Sequence, residues 1–125
     1  MQLKYFHRLP QVKNYYYFNH YINFISKHLN DTRSDGYCEI HHTVPKTYLS
    51  DNEKKDKDNL VTLSGRNHYI AHKLLFMSLQ CPAMAHALWR MAHGRNGEYI
   101  SPDEYEIIKR EQSAISKMDT YRNNQ

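Results

Sequence analysis

The stretch Glu39-Ile40-His41-His42-Thr43-Val44-Pro45, continued by Asp58-Asn59-Leu60-Val61-Thr62-Leu63 and His68-Tyr69-Ile70-Ala71-His72, decides how the rest of the chain is read. Residues 37–41 read as a short strand ending on a histidine pair, and Leu60 to Leu63 as a second strand rich in apolar and β-branched residues. Between them, Pro45 and the polar run from Ser50 to Asp58 read as a surface loop with nothing to bury. Ser64 is suited to cap a helix that runs to about Leu79. The apolar residues of that helix (Ile70, Leu74, Leu75, Phe76, Met77, Leu79) fall on more than one side, as expected of a central, covered helix.

On such a helix His68 and His72 project from one face a turn apart, a spacing suited to chelating one metal ion. Two ligands leave a site incomplete, and the adjacent pair His41-His42 is the evident source of a third. Neighbouring strand residues point to opposite faces, but the strand ends at this pair. One imidazole can then bind metal while the other stays free beside the same phosphate. A free imidazole titrates near about pH 6.5 and can take a proton from water, while a metal polarises a phosphoryl oxygen. These are the parts that phosphodiester hydrolysis needs. Taken alone, Asn59 reads as a turn residue and a histidine pair as incidental; the joint spacing is what carries weight.

Working outward, Phe18, Tyr21, Ile22, Ile25 and Leu29 recur at helical spacing and predict an N-terminal helix over about 11–30. Asp31 to Gly36 is turn chemistry. Pro82 opens a third helix through His93, with Met84, Leu88 and Met91 on one face, and Gly94 to Gly97 breaks it. Ser101-Pro102-Asp103-Glu104 is a capping box that starts a last helix reaching about Met118. The expected fold class is α+β, one domain over 1–125. Its ββα core lies within 36–79, with an N-terminal helix before it and C-terminal helices over about 82–118. Trp89 and the tyrosines are expected to pack around this core. For Tyr15, Tyr16 and Tyr17, stacking on bases is the sharper alternative.

The 125 residues suffice for one modest core. Lys and Arg number 17 against 13 Asp and Glu, a formal charge of +4, which favours a polyanionic partner such as nucleic acid. Cys38 and Cys81 lie far apart, which excludes a cysteine-rich zinc ribbon and suggests no disulfide framework. No apolar run suits a signal or a membrane span, so cytoplasm is the expected location. A zinc hydrolase of small substrates gains little support, because no His-Glu-x-x-His helix or Gly-rich phosphate loop occurs.

On Glu39-x-His41-His42-x-x-Pro45, Asp58-Asn59-Leu60-Val61-x-Leu63 and His68-x-x-x-His72, the chain resembles the HNH (ββα-metal) nuclease family. Its ligand types are similar to those of the nuclease domains of bacterial colicins, which also use three histidines. Residues 36 to 75 resemble the small phage-encoded HNH endonucleases, many of them homing enzymes. The resemblance implies that His41, His68 and His72 ligate the metal and that His42 is the general base. Asn59 would hold the loop before the second strand. Glu39 and Arg66 would hydrogen-bond the ligands or contact phosphate. DNA would be the substrate, with 5′ phosphate and 3′ hydroxyl products. Many members carry a carboxylate where His41 stands. Three imidazoles suit Zn²⁺ or Ni²⁺, whereas Mg²⁺ prefers oxygen; the resemblance allows Mg²⁺ or Mn²⁺ as well.

The start of the His68 helix, with Arg66 in its first turn, is an expected phosphate site. Lys46, Lys54, Lys55, Lys57 and Lys73 are further candidates, although the loop lysines read equally well as a solvated surface among Asp51, Glu53, Asp56 and Asp58. With no appended DNA-binding repeats, sequence specificity is expected to be relaxed, or supplied by a homodimer or a protein partner. If the chain is phage-encoded, its compartment would be the host cytoplasm. The alternative reading is a non-catalytic, metal-stabilised DNA- or protein-binding module derived from such a nuclease. A free His42 argues against it.

Overall fold

In the computed structural model, residues 4–29, 37–94 and 97–123 are described. Their elements are α1 (Tyr15–Lys27), β1 (Glu39–His42), β2 (Leu60–Leu63), α2 (Gly65–Leu79), α3 (Pro82–Ala92) and α4 (Pro102–Asn123), with short 3-10 turns between. β1 and β2 pair antiparallel in the register Glu39↔Leu63, Ile40↔Thr62, His41↔Val61 and His42↔Leu60. The class is α+β, and the order hairpin then helix is compatible with a ββα-metal core.

α2 lies at the centre, packed against α1, α3, α4 and both strands, which explains its lack of a single polar face. Tyr21 and Ile25 of α1, Val61 and Leu63 of β2, Ala71, Leu74, Leu75 and Leu79 of α2 and Met84 of α3 form the main core. A second cluster (Tyr69, Ala92, Ile100, Tyr105) fastens α4 to α2. The two helices approach closely at Gly65, where a Cβ would sit 3.2 Å from the Glu106 Cα. Local signals account for the helix ends. Ser64 Oγ accepts the Asn67 N–H at 3.1 Å, and Ser101 and Glu104 each accept the other's backbone N–H at 3.2 Å, the reciprocal pattern of a capping box.

Several expectations shift. α1 starts at Tyr15 rather than near Gln11, because the N–H groups of Lys13 and Asn14 both bond the Ser78 carbonyl and Asn14 caps the helix. β1 runs one residue further than expected, to His42, and α4 passes Met118 to reach Asn123. The turn expected over Asp31–Gly36 lies outside the described residues. The packing expected of Trp89, Tyr15 and Tyr16 is not found: their exposures are 58%, 65% and 74%. Trp89 instead lies against the His93 ring, with centroids 4.4 Å apart.

The loop between the strands lies at the surface, as expected, but it is more ordered than a loop with nothing to bury. It folds into three 3-10 turns, Lys46–Tyr48, Glu53–Lys55 and Lys57–Asn59. The N-terminal segment clamps it from outside. Lys4 Nζ and the Tyr5 hydroxyl both reach Asp56, the first at 2.8 Å, and Arg8 pairs Glu53 at 2.9 Å. Among the described residues, no helix is long and apolar enough to cross a membrane.

Candidate metal centre

β1 and α2 bring three imidazoles together. Glu39 and His41, two apart on β1, share the strand face turned to α2, where His68 and His72 stand a turn apart. One ring nitrogen from each of His41, His68 and His72 lies within 4.8 Å of the others. The ring centroids are 4.9 to 5.2 Å apart.

The far side of two of these rings is held by the protein, which decides the nitrogen left over. The Tyr21 hydroxyl has one proton and donates it to the Thr43 carbonyl at 2.7 Å. It must therefore accept from His41 Nε2–H, 2.8 Å away, leaving Nδ1 as the lone-pair nitrogen. His68 Nδ1 lies 2.7 Å from Glu39 Oε1, and the carboxylate accepts, so Nε2 is left. Burial pushes the Glu39 carboxyl up, but hydrogen bonds from His68, Tyr37 and Tyr105 outweigh it and hold the group below its ordinary range. The Tyr105 hydroxyl lies 2.9 Å from Glu39 Oε1.

Burial, and then the neighbouring imidazoles, push His41 well below the ordinary histidine value. His72 is lowered to about 3, by burial first and His68 second. Both rings are therefore neutral, and His41 Nδ1 and His72 Nδ1 are buried without a hydrogen-bond partner among the described residues. Leaving a buried polar atom unpartnered costs about 1–3 kcal/mol. Two such nitrogens on facing neutral imidazoles fit a divalent cation, and these three histidines could hold one.

His42, the last residue of β1, is half-buried beside this cluster. Its Nε2 lies 3.1 Å from the Lys54 carbonyl, which can only accept, so Nε2 carries the proton and Nδ1 is the basic nitrogen. Burial lowers its pKa, the Lys54 carbonyl partly restores it, and Lys46 and His68 lower it further. Asn59 is buried behind the hairpin. Its side chain accepts the Val44 N–H at 2.8 Å and donates to the Val44 carbonyl at 2.9 Å, fixing the chain just after His42.

Arg66 is not brought to the cluster. Its guanidinium pairs Asp103 at 2.9 Å, and its backbone N–H bonds Glu106 at 3.3 Å. The first turn of α2, expected to take a phosphate, thus already holds a carboxylate of α4. The cluster opens instead on a cleft of about 670 Å³. One wall carries His41, His42, His68, His72 and Lys46, and the other carries Ala83, Met84, His86, Ala87 and Arg90 of α3. Sequence reasoning missed this second wall, and it missed Tyr21 and Tyr105 as partners of the site. Tyr21 lies on the apolar stripe of α1 and reads as core; only the excess of tyrosine, 11 in all, pointed to a wider use.

Fold and cleft together define an α+β protein with a three-histidine candidate metal centre. Its relatives include phage proteins named as nucleases. The chain is 33% identical over 97 residues to "Probable mobile endonuclease B" of Enterobacteria phage T4, a match covering 74% of this chain and 36% of that protein. It is 32% identical over 94 residues to "Probable mobile endonuclease D" of the same phage, covering 70% and 35%. The chain thus matches little more than a third of the length of these curated relatives. No family model and no solved structure matches it.

Proposed function

We propose that this chain is a metal-dependent DNA endonuclease of the HNH (ββα-metal) type, phage-encoded and homing-like. The observation that carries the reading is the pair of buried nitrogens on His41 and His72 that have no partner among the described residues, facing His68 in a cleft whose described lining includes no carboxylate. The names of the phage relatives support the nuclease class.

In this reading His41, His68 and His72 hold one divalent ion. When bound, it would act as a Lewis acid toward a phosphoryl oxygen and the departing 3′ oxygen. Zn²⁺ and Ni²⁺ suit three imidazoles, and Mg²⁺ or Mn²⁺ would need water or phosphate oxygens to complete the shell. His42 Nδ1 takes a proton from water as the water oxygen bonds to phosphorus and the bond to the 3′ oxygen breaks; the departing 3′ oxygen takes a proton from solvent water, giving a 5′ phosphate and a 3′ hydroxyl. The Lys54 carbonyl keeps the His42 ring in the tautomer this step needs, and Asn59 holds the backbone that aims it. Glu39 orients His68. Arg66, outside the cleft, has no part in the step.

The test is supercoiled plasmid with purified protein and Mg²⁺, Mn²⁺, Ni²⁺ or Zn²⁺, with and without chelator, followed by analysis of the new ends. The expected result is metal-dependent conversion to open circle or linear DNA with 5′ phosphate ends. Metal binding without cleavage of any DNA form would favour the metal-stabilised binding module instead.

A further inference from the structure

Resting on the endonuclease reading, we propose that Arg90 of α3, set in place by His86, grips a backbone phosphate of the DNA strand in the cleft. Four arginines have described side chains. Three are spent on carboxylates: Arg8 on Glu53 at 2.9 Å, Arg66 on Asp103 at 2.9 Å and Arg110 on Glu106 at 3.5 Å. Among the described residues Arg90 pairs with no carboxylate. Its Nε–H donates to His86 Nε2 at 3.2 Å, one turn earlier on the same helix face. That bond fixes the plane of the guanidinium and leaves its two terminal nitrogens, the fork that matches phosphate oxygens, without an acceptor among the described residues.

Position and charge agree with this. Arg90 and His86 line the cleft on the wall facing the three-histidine cluster, and Lys46 lies on the other side. Among the described residues no Asp or Glu lines it, although the loop around Lys46 is rich in acids elsewhere. A strand whose scissile phosphate sits at the histidines must pass one wall of this cleft with a neighbouring phosphate. On the α3 wall Arg90 is the cation available to meet it. His86 is a positioning residue in this account, acting through Arg90.

The test is fluorescence anisotropy of a labelled mixed-sequence DNA duplex across a salt series, in chelator so that nothing is cut. Wild type, Arg90→Ala, Arg90→Lys, His86→Ala and the surface control Lys117→Ala are compared, each checked for an unchanged melting temperature. One lost phosphate contact lowers the slope of log affinity against log salt by about one unit. Arg90→Ala is expected to weaken binding and flatten the slope by that amount. Arg90→Lys should keep the slope with lower affinity, and His86→Ala should weaken binding by less than Arg90→Ala. An unchanged slope in Arg90→Ala, or an equal loss in Lys117→Ala, overturns the proposal even if wild type cuts DNA. An Arg90-dependent slope in a protein that fails to cut DNA with any of Mg²⁺, Mn²⁺, Ni²⁺ or Zn²⁺ would leave the phosphate grip standing and overturn the nuclease reading. Absence of DNA binding by wild type would overturn both.

Discussion

The two walls of the cleft are built on opposite principles. On the hairpin and α2 wall, His41, His42 and His68 each have one ring nitrogen tied to a protein group: the Tyr21 hydroxyl, the Lys54 carbonyl and the Glu39 carboxylate. His41 is only 1% exposed. On the α3 wall His86 and Arg90 are exposed and, among the described residues, hold only each other. Side chains that must keep one tautomer and one direction are over-determined by their partners, whereas groups that meet a flexible polyanion need only be charged, reachable and unpaired. The difference separates a wall suited to chemistry from a wall suited to grip, and variants can break it from either side.

The largest effect is expected from His72→Ala, which removes one of the three proposed ligands from the rigid wall. Titration with Ni²⁺ or Zn²⁺ should show the high-affinity site lost, and the rise in melting temperature that metal gives wild type should vanish with it. Unaltered affinity would place the metal elsewhere. Next come the groups that hold the ligands. Glu39→Ala and Tyr21→Phe should each lower metal affinity by about 10–100-fold, because His68 and His41 lose the partners that orient them. If either left affinity unchanged, the claim of over-determination would fail at that ring.

A smaller effect, on stability rather than metal, is expected from Asn59→Ala. It leaves the buried N–H and carbonyl of Val44 without partners and should cost about 1–3 kcal/mol in urea unfolding. The smallest is a pH effect on the loop that carries Lys54. The Asp56 carboxyl is lowered from its ordinary 3.8 to about 2 by Lys4 first, then by Tyr5 and the Asp58 N–H. Because its folded-state value is depressed, its contribution to stability is full above about pH 4 and is lost as pH falls toward 2. Melting temperatures of wild type and Asp56→Asn should therefore differ slightly at pH 5 and converge near pH 2.

What was legible in the sequence follows the same division. β2, α2, the Ser64 cap and the capping box at Ser101 were readable because each rests on local chemistry repeated along a few residues. The meeting of His41, His68 and His72 was readable because a helical spacing and a strand end constrain it. The Lys54 carbonyl was not, since every residue carries one and only the folded loop selects it. That loop looked solvated because its charges were counted without their partners, Lys4 and Arg8, which lie about fifty residues earlier in the chain. The proposed grip of Arg90 was hidden for a related reason: in sequence it is one arginine among seven, and that no described carboxylate pairs with it shows only in three dimensions.

The most direct test compares plasmid opening by wild type and His42→Ala at matched metal occupancy, measured on the same samples. His42 is assigned the proton, and His41, His68 and His72 the ion. His42→Ala should therefore bind metal like wild type and cut about 10²–10⁴-fold more slowly. Cutting by His42→Ala at the wild-type rate, with metal equally bound, would contradict the account.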